Sequence, residues 1–317
     1  MSRGIRAGVI GIGSLGREHT RIYSSIEAVS SLTLFDMIGD RAEEAAARYG
    51  ASVASSPEEL LEACDVASVC TPATDHFGSV SKAFERGVHV LVEKPIAAGS
   101  ADGEKLVKRA ADAGCILQVG HIERFNGAFQ AALPLLKKPM FIESHRLGLF
   151  TPRGTDVSVV VDLMIHDLDI VLTVMRGRGI VDLRASGTGV LTDSPDIVNA
   201  RLEFEGGCVA NLTASRISRE PLRKIRFFEE NLYVSVDLRE KSVEAFRKAR
   251  NTKPESLESD PMAFVSFVPV EVDRGEPLRK EIESFIDSVT GGKRPAVTGE
   301  QSVEALRLAE RILGVVT

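Results

Sequence analysis

The chain has no tryptophan and only four cysteines among its 317 residues. The missing tryptophan excludes no function. Cys64, Cys70, Cys115 and Cys208 form no C-x-x-C pair, which argues against zinc ribbons and dithiol motifs and reads as reduced thiols of a cytosolic protein. No apolar run approaches the ~20 residues of a membrane span. Met1–Gly13 runs directly into a strand pattern, without a signal-like apolar core and cleavage site. Positive charge is not in excess: 39 Lys and Arg face 45 Asp and Glu, a net charge of -6. That balance provides no broad basic field for nucleic acid or an anionic membrane, and leaves room for a local basic pocket around one phosphorylated metabolite. The expectation is a cytoplasmic protein with neither a nucleic-acid nor a membrane partner.

What is present is a rhythm. Short Val- and Ile-rich runs at Ile5–Ile10, Leu32–Phe35, Ala51–Ala54, Val66–Cys70, Val88–Val92 and Cys115–Val119 suit parallel strands buried on both faces. Between them lie helical patterns at Leu15–Val29, Arg41–Tyr49, Pro57–Ala63, Phe77–Arg86 and Ala101–Ala113, several closing on Gly50, Gly87 or Gly114. Alternating strand and helix predicts an N-terminal Rossmann-type, doubly wound parallel sheet over residues 1–122. Beyond it, Phe125–Lys137 and Asp162–Met175 read as helices. Ile180–Val272 is mostly strand-like, with a hairpin signal at Gly206-Gly207, and Arg250–Pro261 reads as a surface loop. Helices at Pro277–Thr290 and Gly299–Leu313 follow. Residues 123–317 are thus expected to form an α+β domain with a largely antiparallel open sheet, the last helix packing back on the first domain.

The first strand leads into G-x-G-x-x-G at Gly11, Gly13 and Gly16, with Ser14 and Leu15 between the last two glycines. Gly11 permits the tight turn, Gly13 lets backbone approach a pyrophosphate, and Gly16 lets helix and strand pack closely. The helix N-terminus offers unpaired N–H groups and the positive end of a dipole. Asp36 ends the second run 20 residues after Gly16, where a carboxylate accepts hydrogen bonds from an adenosine ribose and repels a 2′-phosphate. Met37 to Asp40 contain no cation, and Arg41 is expected to face away, so NAD is favoured over NADP. A glycine-rich turn without a ligand is the alternative.

A second cluster follows Val88–Val92 at once: Glu93-Lys94-Pro95, at the carboxyl edge of a parallel strand, where open sheets bind ligands. Pro95 keeps Lys94 out of the helical region and leaves a cis bond open to it. An ordinary surface lysine is the alternative. Further on, VVVDLMIHDLDIVLTVM sets Asp162 and His166 four apart on one helical face, with Asp169 three beyond. A core or capping histidine is the plain alternative. A metal site is another, but the pair supplies only two ligands, so no metal is expected.

In order along the chain, GIGSLG, Thr71-Pro72, EKP at Glu93–Pro95, VGHIERF at Val119–Phe125 and DLMIHDLD at Asp162–Asp169 resemble the glucose–fructose oxidoreductase/inositol dehydrogenase family. The resemblance runs from the first strand to the last helix. It implies that Lys94 is an active-site lysine, His166 a catalytic histidine and Asp162 its acidic partner. It also implies that Thr71, Pro72, His76 and Glu93 line the cofactor. It implies a homodimer or homotetramer formed through the open sheet face. His121 and Glu123 stand where many relatives differ. Within the family the pattern points to oxidation of a nucleotide-linked sugar, the 3-hydroxyl of UDP-N-acetylglucosamine, with another sugar or inositol as the alternative. A non-catalytic NAD sensor or co-repressor is the alternative of another class. It would have no need of Lys94, Asp162 and His166 together.

Oxidising a secondary alcohol requires a hydride acceptor and a base. His166 suits the base, Lys94 a cation beside the developing alkoxide, and Asp162 a partner for imidazolium. Lys94 acting as the base is the other assignment. A diphosphate-bearing substrate calls for cations, and Arg124, Arg146 and Arg153, the last two in a segment read as a loop, are the candidates for bidentate contact.

Overall fold

The computed structural model describes residues 4–151, 157–249 and 264–316. The expected surface loop Arg250–Pro261 therefore lies outside the described residues, as does Arg153. Six strands make the first sheet: β1 (Ile5–Ile10), β2 (Val29–Phe35), β3 (Ser52–Val53), β4 (Val66–Val69), β5 (His89–Glu93) and β6 (Leu117–Gly120). Their order is β3-β2-β1-β4-β5-β6 and every neighbouring pair is parallel, the doubly wound arrangement of dinucleotide-binding sheets.

Helices α1 (Ser14–Tyr23), α2 (Gly39–Tyr49), α3 (Pro57–Ala63), α4 (Ala73–Glu85) and α5 (Ser100–Ala113) alternate with the strands. Helix α1 stops at Tyr23, six residues before the Val29 of the sequence reading. Turn hydrogen bonds from Ser25 to Ile22 and Ile26 to Tyr23 end it, and β-branched Val29 instead pairs with Ile5 across the sheet. Helix α3 begins as its sequence dictates: Pro57 occupies the first turn and the Ser56 hydroxyl accepts from the Glu59 N–H at 3.1 Å. Val9, Ile12, Ile22, Tyr23, Leu34 and Leu91 are in the core of this unit.

The second sheet has eight strands: β7 (Phe141–Leu147), β8 (Ile180–Thr188), β9 (Ile197–Phe204), β10 (Val209–Ser215), β11 (Leu222–Phe228), β12 (Leu232–Asp237), β13 (Ser242–Lys248) and β14 (Val265–Val268). The order is β14-β13-β12-β11-β7-β10-β9-β8. All neighbours are antiparallel except β7 and β10. The Gly206-Gly207 hairpin joins β9 to β10, both glycines in the left-handed region at φ 87° and 83°. One face packs on Phe129, Met164, Leu168 and Val171. The other carries an aromatic ladder, Phe141–Phe228–Tyr233–Phe246–Phe267, with ring centroids 5.2–6.3 Å apart.

The expected helix Phe125–Lys137 is broken into a 3-10 turn (Ile122–Phe125), helix α6 (Gly127–Ala132) and a second 3-10 turn (Leu133–Leu135). Asn126 restarts the chain by accepting from the Ala128 N–H at 3.1 Å, and Pro134 has no N–H to extend α6. The segment read as one helix from Asp162 is a π-helical turn (Val160–Met164) leading into α7 (Ile165–Val174). Helices α8 (Pro277–Gly291) and α9 (Gly299–Leu313) complete the chain. By contacts it divides into one unit of residues 1–122 and 276–307 and another of residues 123–275 and 308–317. Among the described residues no helix is long and apolar enough to cross a membrane.

Candidate active site

In the first unit, β1 runs into Gly11 at φ 90°, where a side chain would meet the Cys70 carbonyl and the Thr71 N–H at 2.9 Å. At Gly16 an added Cβ would lie 1.8 Å from the Gly11 carbonyl oxygen, so only glycine lets α1 approach β1 this closely. Over Gly13 there is open space, and Gly13 caps α1 with no side chain. No acidic residue occupies the first turn of α1, around Ser14 and Leu15. An uncapped helix start with room above it is a cradle for a pyrophosphate.

Asp36 closes the other side of this loop. Its Oδ2 accepts from the Ile12 N–H at 2.6 Å and its Oδ1 from the Ile38 N–H at 2.8 Å. A carboxylate oxygen has a second lone pair, so both remain able to accept from a ribose. The expectation that Arg41 faces away is corrected: its Nη1 lies 4.0 Å from Asp36 Oδ1. Arg41 is the third residue of α2, five residues beyond Asp36, the residue that follows β2.

Thr71 and Pro72 follow β4, Pro72 capping α4. The Thr71 hydroxyl is buried and has no hydrogen-bond partner among the described residues. Open space over Gly13, the uncapped α1 N-terminus, the Asp36 carboxylate and this hydroxyl together fit a nicotinamide dinucleotide. Gly11, Gly13, Ser14, Leu15, Gly16, Asp36, Thr71 and Pro72 would hold it.

Glu93 ends β5 and is buried; Lys94 is partly exposed and joined to Pro95 by a cis peptide bond. The His76 ring reaches two carbonyl oxygens, Nδ1 2.8 Å from that of Pro95 and Nε2 2.9 Å from that of Thr71. Burial pushes its pKa below the ordinary histidine value, against the carbonyls, which favour a proton. Burial pushes the thiol of Cys70, which follows β4 directly, well above the usual range, and that of Cys64, before the start of β4, up to about 12.

In the second unit, the π-helical turn and α7 carry Asp162 and His166, both partly exposed. Val160, Met164, Leu168 and Val171 anchor these helices in the core. Asp167 and Asp169, on the same helix, are buried and serve another purpose. Asp169 accepts from Arg124 Nε at 2.6 Å and Nη2 at 3.2 Å. Asp167 accepts from Arg146 Nε at 3.1 Å and Nη2 at 2.8 Å, while Arg146 Nη1 donates to Glu123 Oε1 at 3.0 Å. Although burial opposes it, these two carboxylates hold the Arg146 pKa above its ordinary value. Arg146 therefore sits in strand β7 rather than in a loop, and its three nitrogens are occupied by protein carboxylates. The segment FIESHRL alternates buried and half-buried positions, a strand signal masked by the arginine on its buried face.

Sequence reasoning passed over His19, which is completely buried, and gave Glu123 no role. Among the described residues no group of three or more His, Cys, Asp or Glu side chains could hold a metal ion.

Residues 5–121 match the model of an oxidoreductase family with an NAD-binding Rossmann fold, GFO_IDH_MocA. Over 286 residues the chain is 35% identical to UDP-N-acetylglucosamine 3-dehydrogenase of Acidithiobacillus ferrooxidans, covering 90% of this chain and 88% of that one. A solved structure of that enzyme superposes with a TM-score of 0.90 at 32% identity, covering 99% and 98% of the two chains. The NAD(+)-dependent scyllo-inositol 2-dehydrogenase of Bacillus subtilis is 25% identical over 322 residues, 94% of this chain and 90% of its own. The scyllo-inositol dehydrogenase of Lactobacillus casei, solved with bound NAD(H) and scyllo-inositol, shares the fold at a TM-score of 0.78 and 17% identity, over 99% and 97% of the chains.

Proposed function

We propose, on the premise that this chain belongs to the Gfo/Idh/MocA oxidoreductase family, that it oxidises the 3-hydroxyl of UDP-N-acetylglucosamine to a ketone with NAD. That it is a dehydrogenase acting on CH–OH groups follows from the family. The finer reading is carried by one observation: the 35% identity to an enzyme of that name extends through 90% of the chain, well beyond the dinucleotide-binding segment.

The dinucleotide, when bound, supplies the hydride acceptor. The residues handle the proton and the charge. In this reading His166 takes the hydroxyl proton as the C–H bond breaks, since a sugar hydroxyl is too weak an acid to ionise beforehand. The Lys94 ammonium steadies the developing alkoxide. Asp162 fixes the imidazole tautomer and stabilises the imidazolium. The substrate test is absorbance at 340 nm with NAD and a panel of UDP-sugars, free sugars and inositols, followed by mass and NMR analysis of the product. UDP-N-acetylglucosamine should give a ketone at the third ring carbon. Turnover of inositols alone, or oxidation at another carbon, would overturn the substrate assignment.

Cofactor choice rests on Asp36. Asp36→Ala should lower kcat/KM for NAD about tenfold, the cost of roughly one charged hydrogen bond. It should raise kcat/KM for NADP, because Arg41 is then left without its carboxylate neighbour and meets the 2′-phosphate. Arg41→Ala in the same background should remove that gain. A parent enzyme that prefers NADP would contradict the NAD assignment.

The aromatic ladder on the open face of the second sheet, ending in Phe267 at 60% exposure, supports assembly of this face into a homodimer or homotetramer. Light scattering should give two or four chain masses. A monomer at micromolar concentration would refute it.

A further inference from the structure

The turn that bears Lys94 is held on both flanks by side chains that have no part in the proposed proton and hydride chemistry. On one flank is Glu93. Its Oε1 lies 3.0 Å from His19 Nε2, and the other ring nitrogen of His19 lies 3.0 Å from the Ser68 hydroxyl. The Tyr23 hydroxyl is also 3.0 Å from Ser68 Oγ, so the histidine is braced from behind. Gly120 pairs with Glu93 across β5 and β6, and a Cβ there would stand 2.9 Å from Glu93 Oε2. The carboxylate thus fills the space a side chain at 120 would take. On the other flank, the His76 ring stands between the carbonyl oxygens of Pro95 and Thr71, and in the tautomer protonated at Nδ1 it donates to that of Pro95. Residues 93 and 95 are therefore tied to helices α1 and α4 and to strands β4 and β6, all within the first unit.

Such an arrangement is expensive as a way of stabilising a fold. Burying a histidine–carboxylate pair sacrifices hydration that apolar packing would not have to give up. It does achieve positional precision. Lysine carries its amine on a flexible four-carbon stem, so the place of the ammonium depends on how firmly the backbone beneath it is anchored. A misplacement of about 1 Å at a reacting centre costs on the order of 10²-fold in rate.

We infer that His76 and His19 are positioning residues for Lys94, His76 by holding the Pro95 carbonyl and His19 by holding the Glu93 carboxylate. The inference rests on the reading of Lys94 as a catalytic residue, and the experiment separates the two. His76→Leu removes both ring nitrogens, whereas His76→Asn keeps a donor where Nδ1 was. His76→Leu should lower kcat about 10- to 100-fold, a larger factor than the weakening of NAD binding, followed by NADH fluorescence competition, that loss of its contact with Thr71 brings. His76→Asn should recover most of that loss. The same contrast should hold for His19→Gln, which still reaches Glu93, against His19→Asn, which is too short. This second pair is polar throughout and carries the comparison should His76→Leu fail to fold.

The cycle with Lys94→Ala decides the mechanism. With Lys94 gone, His76→Leu should cost nothing further. An equal loss with and without Lys94, equal rates for the Leu and Asn variants, or a loss confined to NAD affinity would overturn the positioning role. A Lys94→Ala enzyme with the parent kcat would instead overturn the catalytic reading on which the inference stands.

Discussion

His166→Ala should lower kcat by about 10²–10⁴-fold. The factor is that of a general base positioned to take a proton while the hydride departs. Without it, the hydroxyl proton must pass to water from an alcohol that scarcely ionises. Binding should survive, because His166 belongs to α7 and not to the glycine-rich loop proposed to hold the dinucleotide. The expected pattern is therefore a fall in kcat with little change in NAD affinity. Chemistry should also become fully rate-limiting, so a deuterium at the reacting carbon should slow the variant more than the parent. Imidazole added in solution should return part of the rate. A variant within about threefold of the parent kcat, far less than a general base contributes, would remove His166 from this role and leave Lys94 to accept the proton.

Arg146→Ala should destabilise the protein by about 3–5 kcal/mol, the cost of removing one partner from a buried ion pair. Arg146, Asp167 and Glu123 are 3%, 2% and 6% exposed, so the variant would strand two carboxylates away from water. Arg223, 3.8 Å from Glu123 and largely exposed, is too far and too well hydrated to take over. Urea denaturation should show a lower midpoint at unchanged slope. Replacing the whole cluster with Arg146→Met, Asp167→Leu and Glu123→Leu should recover much of the loss, since an apolar cluster of similar volume carries no desolvation debt. A raised KM for UDP-sugar at unchanged stability would return Arg146 to the substrate and refute the structural role. The same comparison applies to Arg124, whose pairing with Asp169 is nearly as buried.

The glycine loop, Asp36 and the EKP turn were legible because each is a local pattern. A glycine in a tight turn or a carboxylate at a strand end carries its geometry with it, whereas Asp162 and His166, read as four apart on one helical face, are divided between a π-helical turn and α7. What stayed hidden involves partners distant in sequence. His19 and Glu93 are 74 residues apart, and Arg146 and Asp167 21 apart. No periodicity links such residues, because strand register and the depth of burial bring them together. Strand β7 escaped detection for a related reason, since its buried row includes an arginine whose charge is neutralised only by residues from other elements.

By itself the sequence determined the doubly wound sheet and the dinucleotide cradle, since these follow from hydrophobic period and backbone freedom at glycine. Only the tertiary structure decided how the charged residues are employed. It placed Arg41 beside Asp36, locked Arg124 and Arg146 to buried carboxylates, and set two histidines on either side of the Lys94 turn. The physical reason is that a charge finds its partner by distance and dielectric in the folded chain, neither of which is written in the order of residues.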